Sequence, residues 1–263
     1  MPSARELLAF YLEAGVDCAL SESPINRLSE EAAIEEQPAA KPALFRTANP
    51  PPVVPASGQS APAPDAAIMS AREIAPRAAS LQELRDLLER FDGCALKSTA
   101  TRLVFADGNP EAKIMFVGEA PGRDEDLEGL PFVGRSGNLL DLMMAAIGLD
   151  RTKVYIANII PWRPPGNRDP SPQETQICLP FIRRQIELVD PDVLVCLGKP
   201  SSQAVLDLKD GIMKTRGRWI DYDTGTRKIR AMATFHPAYL LRQPIYKRLT
   251  WQDLRSVQKV LQG

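Results

Sequence analysis

Cysteine is scarce in this 263-residue chain: four residues, at positions 18, 94, 178 and 196. They are too few and too scattered for a disulfide framework, so a reducing cytoplasm is the expected home. Long apolar runs are missing as well. No stretch approaches the roughly 20 residues needed to span a bilayer, and no membrane association is expected. The first ten residues carry Arg5 and Glu6 and no uninterrupted apolar core, so no secretory signal is expected. Glutamate disappears from residues 199–263, which carry 13 Lys and Arg against 5 Asp. The near-zero net charge of −1 therefore hides an asymmetry. A surplus of that size makes the end segment a candidate surface for phosphates, because basic side chains release counterions condensed on nucleic acid. A solvated basic face is the alternative, and charge alone does not decide between them.

What is present divides the chain. Residues 3–15 read as a short amphipathic helix, with Leu7, Leu8, Tyr11 and Leu12 at helical spacing after a Ser3 cap. The predicted organisation is an N-terminal helical arm over 1–37, a Pro/Ala-rich flexible linker over 38–79 and a packed α/β domain over 80–263. Eight of the 24 prolines fall between residues 38 and 64, a composition too poor in apolar residues to build a core. From residue 80 the pattern changes. A Ser80 cap precedes the stripe Leu81, Leu84, Leu87 and Leu88. Apolar runs at 113–117, 154–160, 193–197 and 229–234 read as strands, and helical patterns at 137–147, 172–189 and 246–261 as helices. Strands alternating with helices predict a parallel sheet covered on both faces, with any ligand beyond the strands' carboxyl ends.

Those ends carry the informative residues. The first run leads into Val117-Gly118-Glu119-Ala120-Pro121-Gly122, a tight loop whose backbone can approach a ligand closely. It is not a Walker loop, since no Gly-Lys-Ser/Thr follows. Asp124, Glu125 and Asp126 come a turn later, and Phe132 stands in the Gly-rich stretch 130–137, as core or as a ring free to stack. The second run contains Asn158, an amide that needs partners when buried and that offers a donor and an acceptor to a pyrimidine edge. Its loop, Arg163-Pro164-Pro165-Gly166-Asn167-Arg168, is basic and rigid. The fourth run ends in His236-Pro237-Ala238-Tyr239-Leu240-Leu241-Arg242, which holds the chain's single histidine. Leu240 and Leu241 beside Arg242 fit a wedge that enters a base stack while the guanidinium holds a phosphate.

Together, in order and spacing, these segments resemble the uracil-DNA glycosylase superfamily, and within it the type-4, iron–sulfur class, over residues 94 to 258. The resemblance implies a three-layer α/β/α fold with a central four-stranded parallel sheet. It implies hydrolysis of the N-glycosidic bond of uracil in DNA by a monomer acting on single- or double-stranded substrate. A base within a duplex must be flipped out to be reached. By resemblance, Phe132 stacks on the extruded uracil, Asn158 reads its edge, and His236 donates to the negative charge developing on O2. Glu119 and Glu125 are the candidate carboxylates that orient water or oppose the sugar cation, and the choice between them stays open. Gly118, Ala120, Pro121 and Gly122 line the substrate site, while Arg163, Arg168, Leu240, Leu241 and Arg242 face DNA.

The type-4 class holds a 4Fe-4S cluster on four cysteines. Here the matching positions are Cys94, Lys97, Trp162 and Cys178. Cluster iron needs thiolates, so no cluster and no other cofactor is expected, with Trp162 and Leu96 filling the space. Two further readings compete with hydrolysis. A relative that traps the sugar covalently uses a histidine in the loop after the second strand, and residues 161–172 contain none. A catalytically weakened DNA-binding member is the other alternative, and intact Glu119, Asn158 and His236 count against it.

Overall fold

The computed structural model describes residues 64–262. The 1–37 arm, the amphipathic pattern at 3–15 and the linker up to residue 63 lie outside the described residues. Six strands are present among the described residues: β1 (Asp107–Gly108), β2 (Ile114–Gly118), β3 (Tyr155–Asn158), β4 (Val193–Leu197), β5 (Trp219–Asp223) and β6 (Lys228–Thr234). They form one sheet in the order β1-β3-β2-β4-β6-β5. The inner four are parallel, and the two edge strands run antiparallel. The expected four-stranded parallel centre is therefore there, and short antiparallel strands extend it at both edges.

Burial on both faces explains the layers. Along β2, Met115 and Val117 join one apolar cluster, while Ile114 and Phe116 join the other. Alternate residues of a strand point to opposite faces, so two buried sets mean two covering layers. Helices α1 (Pro64–Ile74), α2 (Leu81–Arg90) and α5 (Pro172–Val189) contribute to the first cluster. Helices α4 (Arg135–Ala145), α8 (Pro237–Arg242) and α9 (Lys247–Leu261) contribute to the second. Short helices α3 (Arg123–Glu128), α6 (Lys199–Leu206) and α7 (Ile212–Thr215) occupy the connections. The Ser80 cap stands where the sequence placed it: its Oγ accepts from the Glu83 amide at 3.2 Å. Ser171 and Glu174 form a reciprocal capping box at the start of α5.

One boundary is corrected. The linker assigned to 38–79 contains α1 and the turn after it, so packed structure extends to Pro64. Ala67, Ala71, Ala75 and Ala78 are buried at helical spacing, and α1 lies against α5. The Arg184 guanidinium of α5 donates twice to the Ala78 carbonyl, at 3.0 and 2.7 Å. Small side chains let the two helices approach closely. They also make the stripe inconspicuous in a stretch rich in Ala and Pro.

Register then sets the site. Gly118 pairs with Asn158 and Leu197 with Thr234, so the four parallel strands end along one edge. Thr234 is fixed there by a hydroxyl bond of 2.7 Å to Asp253 on α9, which Arg216 also engages.

Candidate active site

Beyond that edge lies a cavity of about 660 Å³, lined by residues that follow all four parallel strands. Glu119, Ala120, Pro121, Gly122, Phe132, Asn158 and His236 all border it. Gly118, at the end of β2, lies against two of them. A Cβ at Gly118 would stand 2.3 Å from Asn158 Oδ1 and 2.6 Å from the Phe132 ring, so only glycine lets both side chains reach this point.

Phe132 is held in a left-handed conformation, φ 55°, which costs energy for a non-glycine residue and needs support. Arg151 supplies it from behind, donating to the carbonyls of Pro131 and Phe132 while paired with Asp107 and Asp141. Gly137 allows the start of α4 to pass the Phe132 carbonyl, which a Cβ there would strike. The buried ring ends 5.5 Å from the His236 ring, centroid to centroid.

Asn158 is buried, and its Oδ1 has no hydrogen-bond partner among the described residues. An amide oxygen left unpaired inside a protein costs about 1–3 kcal/mol. The oxygen is enclosed beside Gly118 and the Phe132 ring, at the wall where Asn158 borders the cavity.

His236 is half-buried at the start of α8, and its Nδ1 accepts the Ala238 amide at 3.1 Å. That bond leaves the proton of the neutral ring on Nε2. Burial, helped by the positive Arg242, lowers the imidazole to about 4. The ring is thus a neutral donor throughout the ordinary pH range.

The two candidate glutamates separate clearly. The half-buried Glu119 carboxyl enters no side-chain hydrogen bond among the described residues, and burial, with Asp169 adding negative charge, raises it to about 7. Glu125 instead accepts amides from Gly122 at 3.0 Å, Val133 at 3.1 Å and Gly134 at 3.0 Å. It clamps the 118–122 loop to the Phe132 loop. The expectation of Glu125 as a reacting carboxylate is therefore corrected, because both oxygens are committed to backbone.

The DNA-facing set also changes. Leu240 is 1% exposed and belongs to the second apolar cluster, so it cannot act as a wedge. Leu241, 37% exposed, is the free leucine of the pair. Arg168 forms a two-pronged pair with Glu174, at 2.8 and 2.6 Å, although it still borders the cavity. Arg163 donates to Asn167 and approaches Asp126, away from the lining. Both arginines brace the 163–168 loop rather than standing free for phosphate. Arg242 is exposed, borders the cavity and has no carboxylate partner among the described residues.

Some contributors went unread in the sequence. Lys199 and Pro200 border the cavity from the end of β4, after Gly198, whose φ of 92° favours glycine. The strand-end rule pointed to them, but Gly198-Lys199-Pro200 matches no catalytic pattern. Arg151 left no local signal, because its partners Asp107, Pro131, Phe132 and Asp141 are distant in sequence.

Residues 105–255 match the family model described as the uracil DNA glycosylase superfamily. The chain belongs to this superfamily. Among its relatives is a type-4 uracil-DNA glycosylase of Archaeoglobus fulgidus, 42% identical over 67% of this chain and 92% of the relative. Another of the same description, from Thermotoga maritima, is 38% identical over 69% of this chain and 94% of the relative. A third, from Sulfurisphaera tokodaii, is 36% identical over 69% and 84%. These matches put the glycosylase in the type-4 group.

The residues at the four cluster positions do not suit four iron ligands. Cys94 and Cys178 are buried with their sulfurs 4.0 Å apart. Lys97 turns its ammonium outward, donating to the Glu89 carbonyl at 2.7 Å and Asp92 at 2.6 Å. The Trp162 indole is buried in the first apolar cluster beside Leu96. Among the described residues no three His, Cys, Asp or Glu side chains are grouped to hold a metal.

Proposed function

We propose that this glycosylase hydrolyses the N-glycosidic bond of uracil in DNA, leaving an abasic site for base excision repair. The observation that carries the reading is the convergence of Phe132, Asn158, His236 and an uncommitted Glu119 on one cavity. A flipped uracil stacks on Phe132. Asn158 Oδ1 accepts its N3–H, and the amide nitrogen donates to O4. Cytosine presents an acceptor at N3 and a donor at C4, so the same amide geometry rejects it. As the C1′–N1 bond breaks, the bonding pair moves onto the base, and His236 Nε2–H donates to the negative charge gathering at O2. The sugar becomes cationic and takes hydroxide from water oriented by ionised Glu119, while the water's other proton goes to the carboxylate. Arg242 and Leu241 meet the strand at the cavity mouth.

The chain does this without an iron cluster, as a monomer in the cytoplasm. No helix among the described residues is long and apolar enough to cross a membrane. Two cysteines, an outward-turned lysine and a buried indole support the first point, since cluster iron requires thiolates. Incubation with a uracil-containing single-stranded oligonucleotide, followed by alkali, should cut the strand at the uracil. Binding without cutting would favour the weakened DNA-binding alternative. Anaerobically purified protein should be colourless with far less than one iron per chain. A brown protein with about four irons per chain would overturn the cluster-free reading.

A further inference from the structure

The geometry points to Cys94 and Cys178 as a dithiol that a peroxide converts reversibly into a disulfide. The two sulfurs touch at 4.0 Å, although 84 residues separate them in sequence. They stand on different elements: Cys94 precedes the short 3-10 turn Ala95–Ser98, and Cys178 lies within α5. Neither sulfur is alone in the way Cys196 is, buried within β4 and pushed up by burial.

Their surroundings divide the labour. The Cys178 thiol donates to the Cys94 sulfur, while the Lys97 amide is taken by the Cys94 carbonyl at 3.1 Å. That contact makes Cys178 the donor and Cys94 the acceptor of the pair. Two sulfurs in contact are the pairing that peroxide chemistry closes into a disulfide.

Cys94 is also near the surface despite its burial. Ala95 beside it is exposed, and a groove of about 540 Å³ opens next to Lys97 and Trp162. The groove ends at the turn that covers the sulfur.

The step balances without a metal. The Cys94 thiolate attacks one peroxide oxygen and breaks the O–O bond, giving a sulfenic acid and, after protonation, water. The Cys178 sulfur then attacks the sulfenic sulfur and expels hydroxide, which takes the Cys178 proton as a second water. Two thiols lose two electrons, and hydrogen peroxide gains them. The disulfide ties the segment before the 3-10 turn to α5. None of the cavity residues takes part, so uracil excision proceeds in both redox states.

The inference rests on these sulfurs being free of iron, and the test measures both. Iron is first assayed on the reduced full-length protein. The protein is then treated with hydrogen peroxide, denatured and labelled with a maleimide. Reduced protein should take four labels, one per cysteine, and peroxide-treated protein two, with Cys94 and Cys178 found in one cross-linked peptide. Dithiothreitol should restore four labels. The Cys94→Ser and Cys178→Ser variants should show no paired loss of labels, and the oxidised parent should melt several degrees higher than either. Iron-free protein that keeps four labels after peroxide, or that oxidises Cys94 to sulfinic acid without a cross-link, overturns this inference and leaves the glycosylase reading standing. Iron at about four per chain overturns this inference and the cluster-free reading together.

Discussion

His236 and Glu119 make opposite demands on pH, and the cavity meets both. The imidazole is lowered to about 4, so it remains a neutral Nε2–H donor at any pH the enzyme meets. Replacing it with alanine removes one aimed donor, which should cost about 10²–10³ in single-turnover rate while DNA affinity changes little. A wild-type rate would return His236 to a structural role. Glu119, raised to about 7, is half ionised near neutrality. If the carboxylate orients water, the single-turnover rate should fall as pH drops from 8 to 6, and Glu119→Gln should be slow and flat across that range. The same group is linked to stability. The folded chain holds this proton more tightly than the unfolded chain, whose carboxyl has the ordinary value of 4.5. Stability from this group is therefore present below about 4.5 and declines as pH rises through about 7. Glu119→Gln should accordingly gain stability over the parent at pH 8 and match it at pH 4, as read by thermal melting.

At the scale of elements, the 237–242 helix shows what a sequence conceals. Leu240 and Leu241 are adjacent apolar residues before an arginine, and nothing local tells which one turns inward. Helical geometry separates them by about 100°, burying the first against α4 and exposing the second. Leu240→Ala should cost about 2–5 kcal/mol of stability. Leu241→Ala should leave melting nearly unchanged and slow excision from duplex more than from single strands, where no stack must be opened. The strand-end loops were more legible. Phe132, Asn158 and His236 follow strand ends visible in the sequence and border one cavity, and register pairs Gly118 with Asn158 beside it. Glu125 was misread because three amides from two loops claim it, a partnership that spacing cannot reveal. Arg163 and Arg168 carry charge visible in the sequence, but their carboxylate neighbours Asp126 and Glu174 are brought in by folding.

Across the molecule, the parallel centre of the sheet followed from apolar runs separated by helices, whereas its antiparallel edges did not. β1 is two residues long, and β5 (Trp219–Asp223) has no fully buried position, with two exposed aspartates interrupting its apolar residues. Helix α1 escaped for a different reason: alanine carries little hydrophobic signal per residue, yet four of them close a helix–helix contact. A chain starting at Ser80 should lose on the order of 2 kcal/mol relative to one starting at Pro64. That loss should lower the melting midpoint by about 4–8 °C. Equal midpoints would show that α1 adds nothing.

The unpaired Asn158 oxygen leaves the empty fold with one unmet buried acceptor. Part of what the fold loses by burying that acceptor returns whenever a base fills the cavity, and the released product carries the same N3–H as the substrate. Free uracil should therefore raise the melting temperature and slow turnover as a competitive inhibitor. Thymine, with the same edge and an added methyl, measures how closely the walls fit around it. The feature that lets the protein find its base is thus also what makes it slow to let the base go.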